Sequence, residues 1–184
     1  NYDGKIHIAG EPTSLNSPVI SLHDLHNNSV YQEERYVTLQ AFQDSSCSVQ
    51  YTCSNPPCLM AQNQLSSAEI STALAVWPEE TIPAITNGIV IKTNGGPLSV
   101  DNMNKAIVQG LSFNMEGTFY LGAKTSNTAI TCSQPIRVLP NTATQIKITQ
   151  QPNPILIAGH NFQVTSPIIE LQDIYGNRAY NNGF

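Results

Sequence analysis

Apolar residues in this chain come in short runs set apart by turn formers, and within the runs they alternate with polar ones. Eight segments fit a strand of four to nine residues rich in Val, Ile, Thr, Tyr and Phe. They are Lys5–Ile8, Pro18–Leu22, Tyr36–Phe42, Gly88–Thr93, Lys105–Phe113, Thr118–Thr125, Pro135–Leu139 and Gln145–Thr149. In YVTLQAF, Val37, Leu39 and Ala41 share a face; in TFYLGAKT, Phe119, Leu121 and Ala123 do. That is the period-two pattern of a half-buried strand. Turn chemistry separates the runs, at Asn87-Gly88, Asn94-Gly95-Gly96, Glu116-Gly117 and Gly176-Asn177. One stretch, Ser66–Val76, carries Ile70, Leu74 and Trp77 at helical spacing and is followed by Pro78, which cannot continue a helix. Short strands with this punctuation predict an all-β chain built as an antiparallel sandwich, not a βαβ fold. Ile20, Leu22, Val37, Leu39, Phe119 and Leu121 are the expected core.

The chain also repeats itself. Sliding it by 149 positions lays Ile8-Ala9-Gly10 on Ile157-Ala158-Gly159 and Pro18–Asn28 on Pro167–Asn177, with 11 of 35 positions identical. Chance alone gives about two, so the chain reads as tandem units: residues 1–149 as one full unit and 150–184 as the opening strands of the next. A unit this long exceeds the roughly 100 residues of a simple sandwich. The excess maps to a Cys- and Pro-rich segment, about 43–86, read as an insertion.

The quoted motifs resemble a known family. SPxIxLxDxxxN, EGTFYLGAKTS and PIRVLPNTATQIKITQQP are similar to the Ig-like repeats of large surface and fibrous proteins. Those repeats open on a QP…AG…F…QDxxGN pattern, which the second copy follows at Gln151-Pro152, Ala158-Gly159, Phe162, Gln172-Asp173 and Gly176-Asn177. The first copy departs at His23 and Asn27, and the Cys-rich segment has no counterpart. The resemblance implies an Ig-like sandwich in tandem array, of the kind found in adhesins, protist surface coats and flagellar hairs.

Composition narrows the function. Only 11% of residues are charged, 8 Lys and Arg against 13 Asp and Glu, while Asn, Gln, Ser and Thr supply 62 of 184. A net charge of −5 leaves no basic footprint for nucleic acid, and no apolar run approaches the ~20 residues of a membrane span. The chain opens on Asn1 without a leader, as expected of a processed chain or a piece of a longer one. Cys47, Cys53, Cys58 and Cys132 form an even set in a Lys- and Glu-poor chain, pointing to disulfides and an extracellular or cell-surface location rather than zinc. Of three possible pairings the favoured one is Cys47–Cys132 with Cys53–Cys58. Asn27-Asn28-Ser29 is the only N-glycosylation sequon, making Asn27 a candidate for a covalent glycan.

Candidate chemistry is thin. His23 and His26 flank Asp24, but the second copy has Gln172 and Tyr175 there, so no metal is expected. Asp24 and Asp173, each followed by Asn four residues on, read as turn formers that bond their own backbone rather than calcium ligands. Glu33-Glu34 and Glu79-Glu80 are adjacent pairs whose side chains diverge, and no nucleophile elbow, zinc helix or phosphate loop is present. The reading is therefore a structural building block of an extracellular filament, hair or stalk, with no catalysis and no cofactor. Its partners are copies of itself or neighbouring repeats. The alternative is an adhesin or glycan-binding module using the 43–86 insertion, with Trp77 and Tyr51 as its aromatic platform. Ile155, Ile157, Ile169, Leu171 and Ile174 exceed what two strands can cover, so they are the candidate junction, completed either in the same chain or by a neighbour.

Overall fold

The computed structural model describes residues 6–12, 18–23, 26, 36–53, 56–76, 88–93, 105–126, 128–152, 155, 158–159 and 166–179. Twelve strands and one helix follow in chain order: β1 (Ile6–Ile8), β2 (Val19–Ser21), β3 (Tyr36–Phe42), β4 (Leu59–Met60), α1 (Ser67–Val76), β5 (Gly88–Lys92), β6 (Lys105–Ile107), β7 (Ser112–Phe113), β8 (Gly117–Lys124), β9 (Thr131–Cys132), β10 (Ile136–Leu139), β11 (Gln145–Gln150) and β12 (Ile168–Gln172). The chain is all-β in character and falls into two compact units, Asn1–Leu139 and Pro140–Phe184. The division lies upstream of 149/150 because β11 pairs with β12 and not with any described strand of the first unit.

In the first unit the main sheet runs β1-β10-β8-β3-β5, with β9 also on β8. β1 lies parallel to β10, and the other pairings are antiparallel. β9 and β10 meet the same strand in succession: Gly122 opposes Cys132, and Phe119 opposes Ile136. Between them Ser133 bridges the break, its N–H donating to the Leu121 carbonyl and its hydroxyl accepting from the Leu121 N–H. Two smaller ladders, β2–β6 and β4–β7, complete the unit.

The alternating residues of β3 and β8 form the core as the pattern predicts. Val37, Leu39, Phe119 and Leu121 are buried, beside Leu59, Ile91, Leu111, Phe113, Ile136 and Val138. The rings of Phe113 and Phe119 sit 5.2 Å apart in a tilted arrangement that favours aromatic contact. Ile20 and Leu22 differ from expectation: both are only half-buried, because β2 has a single described neighbour strand. Gly122 on β8 is required by packing, since a side chain there would run into the Phe42 ring and press on the Cys47 sulfur.

The Cys-rich segment is woven into this unit. Cys58 and Leu59 are buried, and the Asn114 N–H donates to the Cys58 carbonyl while its side-chain amide donates to Pro57. Asn63 bonds both the Ile107 carbonyl and the Gln109 N–H, and the Leu65 N–H donates to Val90 on the outer edge of β5. α1 then starts on a capping box: Ser66 and Glu69 bond reciprocally, Ser66 N–H to the carboxylate at 2.8 Å and Glu69 N–H to the hydroxyl at 3.3 Å. Ala73 is buried and Ile70 half-buried on its inner side; Trp77 and Pro78 lie outside the described residues.

Two disulfides close the structure, Cys47–Cys132 and Cys53–Cys58, the favoured pairing, and they fit a non-reducing environment. Cys47 is presented by a loop folded around one carboxylate. Asp44 accepts from the N–H groups of Ser46, Ser48 and Val49 and from the hydroxyls of Ser46 and Ser48. The Gln43 N–H donates to Val49, closing the loop, and Cys47 takes a positive φ of 52° at its tip.

Two predictions follow from this packing. Replacing Cys47 and Cys132 together by Ala frees a loop spanning 85 residues and should lower stability by about 4 kcal/mol, read from urea denaturation. Asp44 is held far below the ordinary carboxylate range, chiefly by the Ser46 hydroxyl and then by the Val49 N–H, and Glu69 is lowered from 4.5 by the Ser66 hydroxyl and N–H. Both are depressed, so their contribution is present above the unfolded values of 3.8 and 4.5 and is lost as pH falls through the folded ones. On acidification the Ser66 amide should lose protection against exchange below 4.5 and the Ser48 and Val49 amides only below 3.8, both ahead of the core amides of β3 and β8.

Candidate functional site

The second unit is a two-stranded antiparallel ribbon whose sides differ in chemistry. Ile146 opposes Leu171 and Ile148 opposes Ile169, while Lys147 opposes Glu170 and Gln145 opposes Gln172. Side chains alternate along each strand, so Ile146, Ile148, Ile169 and Leu171 all project from one face. That face is uncovered: the four are 72%, 49%, 62% and 37% exposed. Ile155 and Ile174, at 84% and 64%, add to the apolar surface of the unit; Ile157 lies outside the described residues. Of the expected junction residues, Ile169 and Leu171 are thus on one face. Ile146 and Ile148 complete that face, and the I-x-I alternation of QIKIT is their signal in the sequence.

What holds the ribbon is a turn organised by Asp173, which is fully buried. One carboxylate oxygen accepts from the N–H groups of Tyr175 and Asn177, each at 2.9 Å. The other accepts from the Asn177 side-chain amide at 2.8 Å and from the Asn141 N–H at 2.9 Å. Gly176, with φ 84°, supplies the left-handed residue the turn needs, and Asn177 returns a carbonyl to the Asp173 N–H. Four N–H donors converge on this carboxylate, and those of Tyr175 and Asn177 are the bonds to its own turn that the turn-former reading of Asp173 and Asn177 anticipates. The contact with Asn141 also ties the entry of β11 to the end of β12.

The other candidates are scattered. Tyr51 packs against Phe119 with ring centroids 5.6 Å apart, and burial, then the Glu116 charge, raises its phenol above the ordinary value of 10.0. It is a rim residue of the core, not an open platform. His23 and His26 are exposed, and no cluster of three metal-binding side chains occurs among the described residues. Asp24, Asn27, Asn28, Glu33, Glu34, Trp77, Glu79 and Glu80 lie outside them. No helix is long and apolar enough to cross a membrane, among the described residues.

Asp173→Asn should cost about 1–3 kcal/mol, because its amide group turns a donor toward two of the four N–H groups. Amide exchange at Asn141, Tyr175 and Asn177 should rise while β3 and β8 keep their protection. The chain matches no protein-family model, no curated protein and no solved structure.

Proposed function

We propose that the chain is a structural building block of an extracellular filament, hair or surface stalk, assembling end to end through Ig-like repeats. The observation that carries this reading is the uncovered face of Ile146, Ile148, Ile169 and Leu171 on a two-stranded ribbon. Ribbons of two strands are marginal in water, and an exposed apolar face of this kind marks an interaction surface. The disulfides are in keeping with an extracellular setting.

The Ig-like reading draws support from strand order. β2, β3, β5, β6, β8 and β10 follow the chain order of strands B, C, C′, E, F and G of a variable-type domain. The path β10-β8-β3-β5 then corresponds to G-F-C-C′, and the β2–β6 ladder to the B–E pair. The usual B–F disulfide is replaced here by Cys47–Cys132. Tandem repetition draws support from backbone geometry: Gly10 and Gly159, 149 positions apart, have φ of 77° and 80°. β2 and β12 correspond under the same shift.

The test is self-association by sedimentation velocity. Residues 1–184 should form species that grow with concentration. Replacing Ile146 and Ile169 by Lys should suppress growth with little effect on folding, since changes at such exposed positions stay within about 0.5 kcal/mol. A wild-type chain that remains monomeric with a protected ribbon refutes the reading.

A further inference from the structure

We propose that Asn63 closes the outer edge of β6 against a second copy of this chain, its carboxamide standing where the backbone of a neighbouring strand would. The proposal goes beyond the end-to-end reading and does not rest on it, since it concerns a lateral edge within the first unit.

β6 gives one of its edges to β2. The Val108 N–H donates to the Pro18 carbonyl at 3.0 Å, and Ile20 opposes Ala106. Successive residues of a strand direct their N–H and C=O groups to opposite edges. Those of Ile107 and Gln109 therefore point away from β2, toward an edge where no described strand pairs. A bare edge of this kind is a template for another chain. Here three of its groups are taken. The Ile107 carbonyl accepts from the Asn63 side-chain N–H at 2.8 Å, and the Gln109 N–H donates to the Asn63 side-chain oxygen at 2.9 Å. The Gln109 carbonyl accepts from the Gln62 N–H at 2.8 Å.

The segment that carries Asn63 begins as a strand and then departs. The Asn114 N–H donates to the Cys58 carbonyl, Leu59 opposes Phe113, and Met60 opposes Ser112. Gln62 continues that backbone pairing to Gln109. A turn then leads the chain away: the Gln64 N–H donates to the Ala61 carbonyl at 3.3 Å, and the Gln64 side-chain oxygen accepts from the Ala61 N–H at 3.1 Å. Asn63 lies in this turn, where its backbone leaves β6 and its side chain stays. A carboxamide suits the position because it holds a donor and an acceptor in one group, as a peptide does. Two residues on, the Leu65 N–H reaches the Val90 carbonyl on β5 at 2.8 Å. One short segment thus covers an edge of β6 and an edge of β5.

A second copy is the occupant this closure excludes, because an edge strand can pair antiparallel with its own copy about a twofold axis. Centred on Ile107, that pairing would set Lys105 of one copy beside Gln109 of the other, so no like charges meet. The contact is isologous and closes as a dimer, unlike the open-ended growth proposed for the ribbon.

Asn63→Ala and the near-isosteric Asn63→Leu each remove both side-chain bonds, and their different volumes make them independent tests should one fail to fold. Each is made in the 184-residue chain carrying Ile146→Lys and Ile169→Lys, which suppress growth through the ribbon. At dilution the Gln109 amide should exchange about fivefold faster, with circular dichroism and both disulfides unchanged. At raised concentration, sedimentation equilibrium should show both variants reaching dimer mass, while the chain that keeps Asn63 stays single. Unchanged exchange at Gln109, or faster exchange without dimers, overturns the proposal and leaves the end-to-end reading standing. A wild-type chain that never grows, beside Asn63 variants that dimerise, refutes the end-to-end reading alone.

Discussion

Each strand in this protein turns alternate side chains to opposite faces, and the apolar face has to be covered by something. The first unit meets that constraint internally. β3 and β8 lie at the middle of the main sheet, where Val37, Leu39, Phe119 and Leu121 are buried and the Phe119 ring packs against Phe113 and Tyr51. Gly122 makes the closest approach possible by leaving space for the Phe42 ring and the Cys47 sulfur. The disulfide to Cys132 then fastens the β3 loop to the neighbouring β9. The second unit obeys the same alternation and leaves its apolar face open, which is the physical basis for reading it as a junction.

A chain with so few charges uses its carboxylates as backbone anchors. Asp44 gathers three N–H groups in the loop that presents Cys47, Glu69 closes the first turn of α1, and Asp173 gathers four N–H donors at the turn after β12. In each case an anion satisfies donors that the local backbone conformation leaves unpaired. Burial distinguishes them: Asp44 and Glu69 stand at the surface, whereas Asp173 is enclosed and joins two segments 32 residues apart.

Legibility in the sequence followed the strength of the local signal. The long alternating runs around Tyr36–Phe42 and Thr118–Thr125 became the central strands, and the helix begins one residue after Ser66, at a capping box written as SSAE. The disulfide pairing could be favoured because Cys132 follows the readable strand Thr118–Thr125. β4 and β9 were not legible, since a two-residue strand has no period and is defined by its partner, and Lys105–Phe113, read as one strand, is divided into β6 and β7. The segment 43–86 looked like an insertion for a related reason. Its links to the rest, such as Asn114 to Cys58 and Asn63 to Ile107, are polar contacts between residues far apart in sequence, which leave no local pattern. Ile20 and Leu22 had the alternation of core residues, but alternation reports which face is apolar and says nothing of whether a second layer covers it.

Repetition poses a similar limit, because a repeat has a period and a phase, and only the period can be read from self-similarity. Sliding the chain by 149 superposes one copy on the other wherever the cut is made. The phase depends on which hydrogen bonds cross the cut, and here those of β11 all run forward. Asn141 donates to Asp173, Thr144 donates to Gln172, and the ladder continues from Gln145 to Gln150 against β12. The connector after Leu139 thus belongs with the strand it precedes.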